Sequence, residues 1–169
     1  MDANALRALQ APLKERYKQD PDAALVTLSA RGSVDDARVA CKVETGRALA
    51  IAGLHPATGG TGAELCSGDM LLEALVACAG VTLKAVATAL EIPLRAATVR
   101  ADGDLDFRGT LGVDKTAPVG FRAIRLAIDV DTDAPQEMLD KLLKLTERYC
   151  VVFQTLAGQP QLSAKLARV

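Results

Sequence analysis

Four cysteines, at positions 41, 66, 78 and 150, are the residues of this chain best suited to chemistry, and their surroundings separate them. No pair has CxxC spacing and His55 is the single histidine, so a tetrahedral zinc site lacks its ligands and no metal or cofactor is expected. Cys78 sits in the apolar run SGDMLLEALVACAGVTLKAVATAL, residues 67–90, and Cys150 follows the run MLDKLLKLTERY. Taken singly, a cysteine on an apolar helix face is more often a small core hydrophobe than a nucleophile. Two of them on facing core helices are also the parts of a peroxide-reducing pair, one thiol activated to attack and the other placed to resolve the sulfenic acid.

Holding two thiols together requires elements of the right kind. In 67–90, Asp69, Glu73, Gly80, Lys84 and Thr88 fall near one line of a 3.6-residue helix while nearly every other position is apolar, which predicts a buried central helix. Cys78 shares a helix face with Leu71, Thr82, Ala85 and Ala89, and that face should meet the core or a pocket within it. A bilayer span is not expected, because Asp69, Glu73 and Lys84 would be costly in hydrocarbon. Around this helix the patterns predict a helix over 3–18, a meander of three strands at 24–30, 38–45 and 48–52, and an aperiodic glycine-rich loop over 53–68. Beyond it they predict strands over 95–108 and 121–131. A second helix then carries Met138, Leu139, Leu142, Leu143, Leu145, Tyr149 and Cys150 on its apolar face, and a short strand follows over 161–169. The N-terminal helix, residues 1–20, precedes a single domain of residues 21–169.

Composition narrows the function classes. At 169 residues the chain can bury a core without staples. Its 20 Lys plus Arg against 21 Asp plus Glu give a net charge of -1, and 3% aromatics with no Trp leave neither a phosphate-binding surface nor a stacking platform. No nucleic-acid or membrane partner is expected. The N-terminus, MDANALRALQAPLKERYKQD, is charged and amphipathic with no apolar segment of a secretion signal, so a cytoplasmic location is expected.

The segment GDMLLEALVACAGVTLKAVA resembles the first cysteine motif of the OsmC/Ohr family, the osmotically induced and organic-hydroperoxide-resistance proteins, and RYCVVFQTLAG resembles its second. Element order agrees from about residue 24 to 169. The resemblance implies an α+β fold, an intertwined homodimer in which two antiparallel-type sheets wrap long central helices, with active sites at the subunit interface. It implies a thiol-dependent peroxidase for organic hydroperoxides in which Cys78 attacks, Cys150 condenses with it into a disulfide, and an external dithiol reductant restores both. It also implies an activating arginine, placed at Arg38 with Arg31 as the second choice, because a buried thiol needs help to ionise.

Three positions depart from the motifs: Gly68 stands where a glutamate would hold the arginine, with Asp69 beside it as a substitute. Cys150-Val151 replaces Cys-Pro, and Phe153 replaces a serine. His55 is a candidate lid or pocket residue, and Cys41 and Cys66 match no catalytic position. The alternative is a non-enzymatic dimer of the same shell that binds an apolar ligand or senses oxidants.

Overall fold

A computed structural model describes residues 2–19, 31–34, 40–44, 49–112 and 114–168. The first helix, α1 (Ala3–Gln19), starts where the Asp2 carboxylate accepts the Ala5 N–H at 2.7 Å, satisfying one of the amides that every helix start leaves free. Strands β1 (Arg31–Val34), β2 (Ala40–Glu44) and β3 (Leu49–Gly53) form an antiparallel meander whose register pairs residue Val34 with Cys41 and Cys41 with Ala52. The strand expected over 24–30 lies outside the described residues. Order continues through the glycine-rich stretch, where Pro56–Thr58 form a 3-10 turn and β4 (Leu65–Cys66) pairs parallel with β3. A three-residue turn and a two-residue strand are too short to show a period, so the aperiodic composition hid both.

From β4 the chain passes without a break into α2 (Ser67–Ala89). Its buried residues are Leu75, Ala79, Leu83 and Ala87, a stripe with a four-residue step. That is a correction to the expected burial: the stripe runs beside the face shared by Leu71, Cys78 and Thr82, and the rest of the helix is not enclosed. Leu71 is 38% exposed and Val81 73%. The cause is that the main partners of the helix, the strand Ala96–Asp104 and the helices Gln136–Tyr149 and Val151–Gly158, pack against the buried stripe, with a smaller contact from α1. Periodicity reports which residues are apolar, not how many sides the chain itself covers. By length and composition α2 could cross a membrane, yet its stripe is packed inside a folded domain and Asp69, Glu73 and Lys84 are exposed along it.

The two long strands, β5 (Ala96–Asp104) and β6 (Ala123–Asp131), pair antiparallel with Val99 opposite Ile128 and Ala101 opposite Leu126. Ile124, Leu126, Ile128 and Val130 face inward as their alternation predicts, and they pack against the α2 stripe. The strand expected to reach residue 108 stops at Asp104, because Asp106 caps a single helical turn, α3 (Phe107–Thr110), accepting the Arg108 N–H at 3.1 Å. The Arg108 guanidinium holds that carboxyl down at about 2. Gly103 lies under the ring of Phe121, and a Cβ there would stand 2.4 and 2.6 Å from two ring carbons. Gly103→Ala should therefore expel Phe121 from its seat and cost about 1–3 kcal/mol, read as a lower midpoint in urea unfolding.

The chain closes with α4 (Gln136–Tyr149) and α5 (Val151–Gly158), and the helix expected to carry Cys150 thus ends one residue before it. Residues 159–168 form neither helix nor strand, which corrects the strand expected over 161–169; Leu162 and Leu166 are 92% and 99% exposed there, and no described strand pairs with them. Helices on one face of paired strands make this an α+β fold.

Candidate thiol site

Cys150 joins α4 to α5 in an extended conformation, φ −73° and ψ 107°. Its own N–H reaches back to the Thr146 carbonyl at 2.9 Å, and its carbonyl accepts the Gln154 N–H at 2.9 Å, so the junction is continuous in hydrogen bonding although not helical. The sulfur accepts the Phe153 N–H at 3.5 Å, which makes Cys150 the N-cap of α5. The residue is completely buried, in one core cluster with Leu75 and Ala79.

Against that cluster α2 delivers Cys78, half-buried and directly beside the Cys150 thiol. Burial pushes the Cys78 thiol up, while the neighbouring Val152 amide, Cys150 thiol, Val151 amide and Thr82 hydroxyl pull it down. Together they outweigh burial and hold Cys78 below the ordinary thiol value. Cys150 goes the other way: burial raises it first, and the neighbouring Cys78 sulfur raises it further, against the pull of the Phe153 and Val152 amides. One thiol is thus disposed to ionise and the other to stay protonated.

Other sequence-predicted residues stand elsewhere. Arg38 lies outside the described residues, and Arg31 opens β1. Asp69 and His55 line a separate recess of about 360 Å³ with Cys66, Gly68, Phe107 and Phe121. Along α2, Asp69 precedes Cys78 by nine residues, about 13 Å of helix rise, so one chain does not bring Asp69 or His55 to the thiol pair. Within the recess His55 caps the 3-10 turn, its Nδ1 accepting the Ala57 N–H at 3.0 Å, and stacks on Phe107 with ring centres 5.0 Å apart. Cys66 ends β4 and Cys41 lies in β2. Among the described residues no cluster of His, Cys, Asp and Glu could hold a metal.

The contributors that sequence reasoning missed are the amides of Val151, Val152 and Phe153. A backbone N–H carries no residue signal, and only a helix start placed at 151 would have revealed them. Thr82 was legible as one turn from Cys78 on the same face, but without a role.

The fold is thus an α+β domain whose long helix sets one thiol against a buried second thiol at a helix junction. Residues 60–165 match the family described as OsmC-like protein, and the chain belongs to that family. Solved structures agree on the fold. The OsmC-like protein of Mycoplasma pneumoniae matches with a TM-score of 0.65 at 16% identity, covering 79% of this chain and 89% of its own. An organic hydroperoxide resistance protein from Elizabethkingia anophelis matches with a TM-score of 0.64 at 16% identity, covering 80% of this chain and 91% of its own. The organic hydroperoxide resistance protein OsmC of Legionella pneumophila matches with a TM-score of 0.61 at 18% identity, covering 80% and 92%. A comparison with curated protein sequences returns no match.

Proposed function

We propose that this protein is a thiol-dependent peroxidase acting on organic hydroperoxides. The observation that carries the reading is the Cys78–Cys150 pair, in which the lowered thiol is half-buried and the raised one lies completely buried beside it. In the proposed cycle the Cys78 thiolate attacks the outer peroxide oxygen and the O–O bond breaks. The alkoxide leaves as alcohol after taking a proton, and Cys78 becomes a sulfenic acid. Cys150 then attacks that sulfur, an S–S bond forms, and the hydroxyl departs as water with the proton Cys150 gave up. An external dithiol returns two electrons and two protons by exchange. Val99, Ala101 and Leu126 pack beside the pair, an aliphatic setting suited to alkyl peroxides.

The same reading makes the working unit a cytoplasmic homodimer. The open apolar side of α2, with Leu71 and Val81 exposed, supports a second copy as its cover. A second copy is also the route by which Asp69 and His55 would approach a thiol pair, with Arg38, or Arg31 in its place, as the activating cation. A stoichiometric pulse of cumene hydroperoxide followed by intact-mass measurement tests the chemistry. Rapid loss of two hydrogens, mapped to a Cys78–Cys150 crosslink, is the expected result; thiols that stay reduced sink the proposal. The second reading, a non-enzymatic dimer that binds an apolar ligand, is favoured by Gly68, which leaves Asp69 as the one carboxylate in α2's first turn, and it predicts those inert thiols.

A further inference from the structure

We propose that the first turn of α5 is a single anion hole used twice, holding the Cys78 thiolate before peroxide attack and the Cys150 thiolate after it, so that backbone amides set the order of the two steps. The inference rests on the peroxidase reading for its sequence of events, and on geometry for the hole itself. The opening amides of a helix have no acceptor within the helix. In α5 the first to find one is Gln154, bonded to the Cys150 carbonyl at 2.9 Å. Of the three before it, Phe153 N–H bonds Cys150 Sγ at 3.5 Å, Val152 packs with Cys78 against the cluster that holds Cys150, and the Val152 and Val151 amides favour the Cys78 thiolate. A helix start also carries positive partial charge, and in a site as dry as Cys150's, with Leu75 and Ala79 around it, such donors act strongly.

Among the described side chains beside the pair, the Thr82 hydroxyl shares the role and the rest are apolar. Strand β5 presents Val99 and Ala101, β6 presents Ile124 and Leu126, and α5 presents Val152 and Phe153. Toward α4 the buried Thr146 spends its hydroxyl on the Leu142 carbonyl at 2.8 Å. The titratable groups that face each other here are the two thiols. Two thiolates side by side repel, so the pair gives up its first proton more readily than its second, and the donors around Cys78 favour that sulfur as the first to ionise. When Cys78 attacks peroxide its sulfur becomes a neutral sulfenic acid. The charge that suppressed ionisation of Cys150 is then gone, while the Phe153 and Val152 amides remain. Cys150 loses its proton, attacks the Cys78 sulfur, and releases hydroxide, which that proton converts to water.

Val151→Pro tests the hole with one N–H removed. Val151 is the first residue of α5, where proline is well tolerated, and Cys150 before it already has the extended backbone that proline demands. Peptide-resolved iodoacetamide labelling across pH should show Cys78 alkylated about tenfold more slowly below its inflection, with the inflection moved up. Cys78→Ala, labelled in the same way, should bring Cys150 into reaction at lower pH than in the wild type, since the suppressing charge is absent. Cys150 reacting at an unchanged pH in Cys78→Ala overturns the proposal, as does an unchanged Cys78 profile in a folded Val151→Pro protein. If Val151→Pro fails to fold, the alanine variant decides alone. Labelling uses no peroxide, so an inert protein in the peroxide pulse and a failed hole give separate results.

Discussion

Cys78→Ser should lower the steady-state consumption of cumene hydroperoxide, with a dithiol as reductant, by on the order of 10³-fold or more. Serine keeps the size of the side chain but offers an alcohol that the Val151 and Val152 amides cannot ionise at neutral pH, so position 78 no longer supplies the attacking nucleophile. Cys150→Ser is expected to split the cycle. Cys78 still reacts once, its sulfenic acid accumulates where dimedone traps it, and turnover through the intramolecular disulfide stops. Equal rates for wild type and Cys78→Ser would reduce both cysteines to packing.

Leu75→Ala should cost about 2–5 kcal/mol of folding stability, a large share of the roughly 5–15 kcal/mol that holds a domain folded. Leu75 is 1% exposed and belongs to the cluster that contains Cys150, so the cavity opens against the thiol site. Leu83 is as well buried but belongs to the other cluster, with Ala87, Ile92 and Leu142. Leu83→Ala should cost a similar amount in urea unfolding yet leave the alkylation profile of Cys78 unchanged, whereas Leu75→Ala should alter both. Equal effects of the two variants on the thiols would mean that the clusters are not separate supports.

Most of the elements were legible because they obey simple periods. The run 67–90 alternates at helical spacing with few polar residues, and it folds as α2 within one residue of the expected end. Val99 and Ala101, and Ile124 through Val130, alternate at the period of a half-buried strand and pair as such. The site was only half legible. Side chains mark Cys78 and Cys150, but what distinguishes them is the break at 150, and the run from Met138 continues its apolar pattern straight through that break. Whether Cys150 ends a helix, begins one or lies within one depends on which carbonyl its neighbours' amides reach, a tertiary outcome that the residue order does not encode locally. The failed strand at 161–169 has a related cause: a strand exists only if an edge is there to receive it, and none of the described strands pairs with this tail.

The bare side of α2 bears on what a stability measurement of this fold means. Any molecule that covers Leu71 and Val81 in the folded chain, and has no equivalent footing on the unfolded one, adds a term that grows with the logarithm of its concentration. If the cover is another copy of the chain, the relevant concentration is the protein's own, and dilution acts as a denaturant. An unfolding midpoint for this fold is therefore one point on a titration, complete only when the protein concentration is stated beside it.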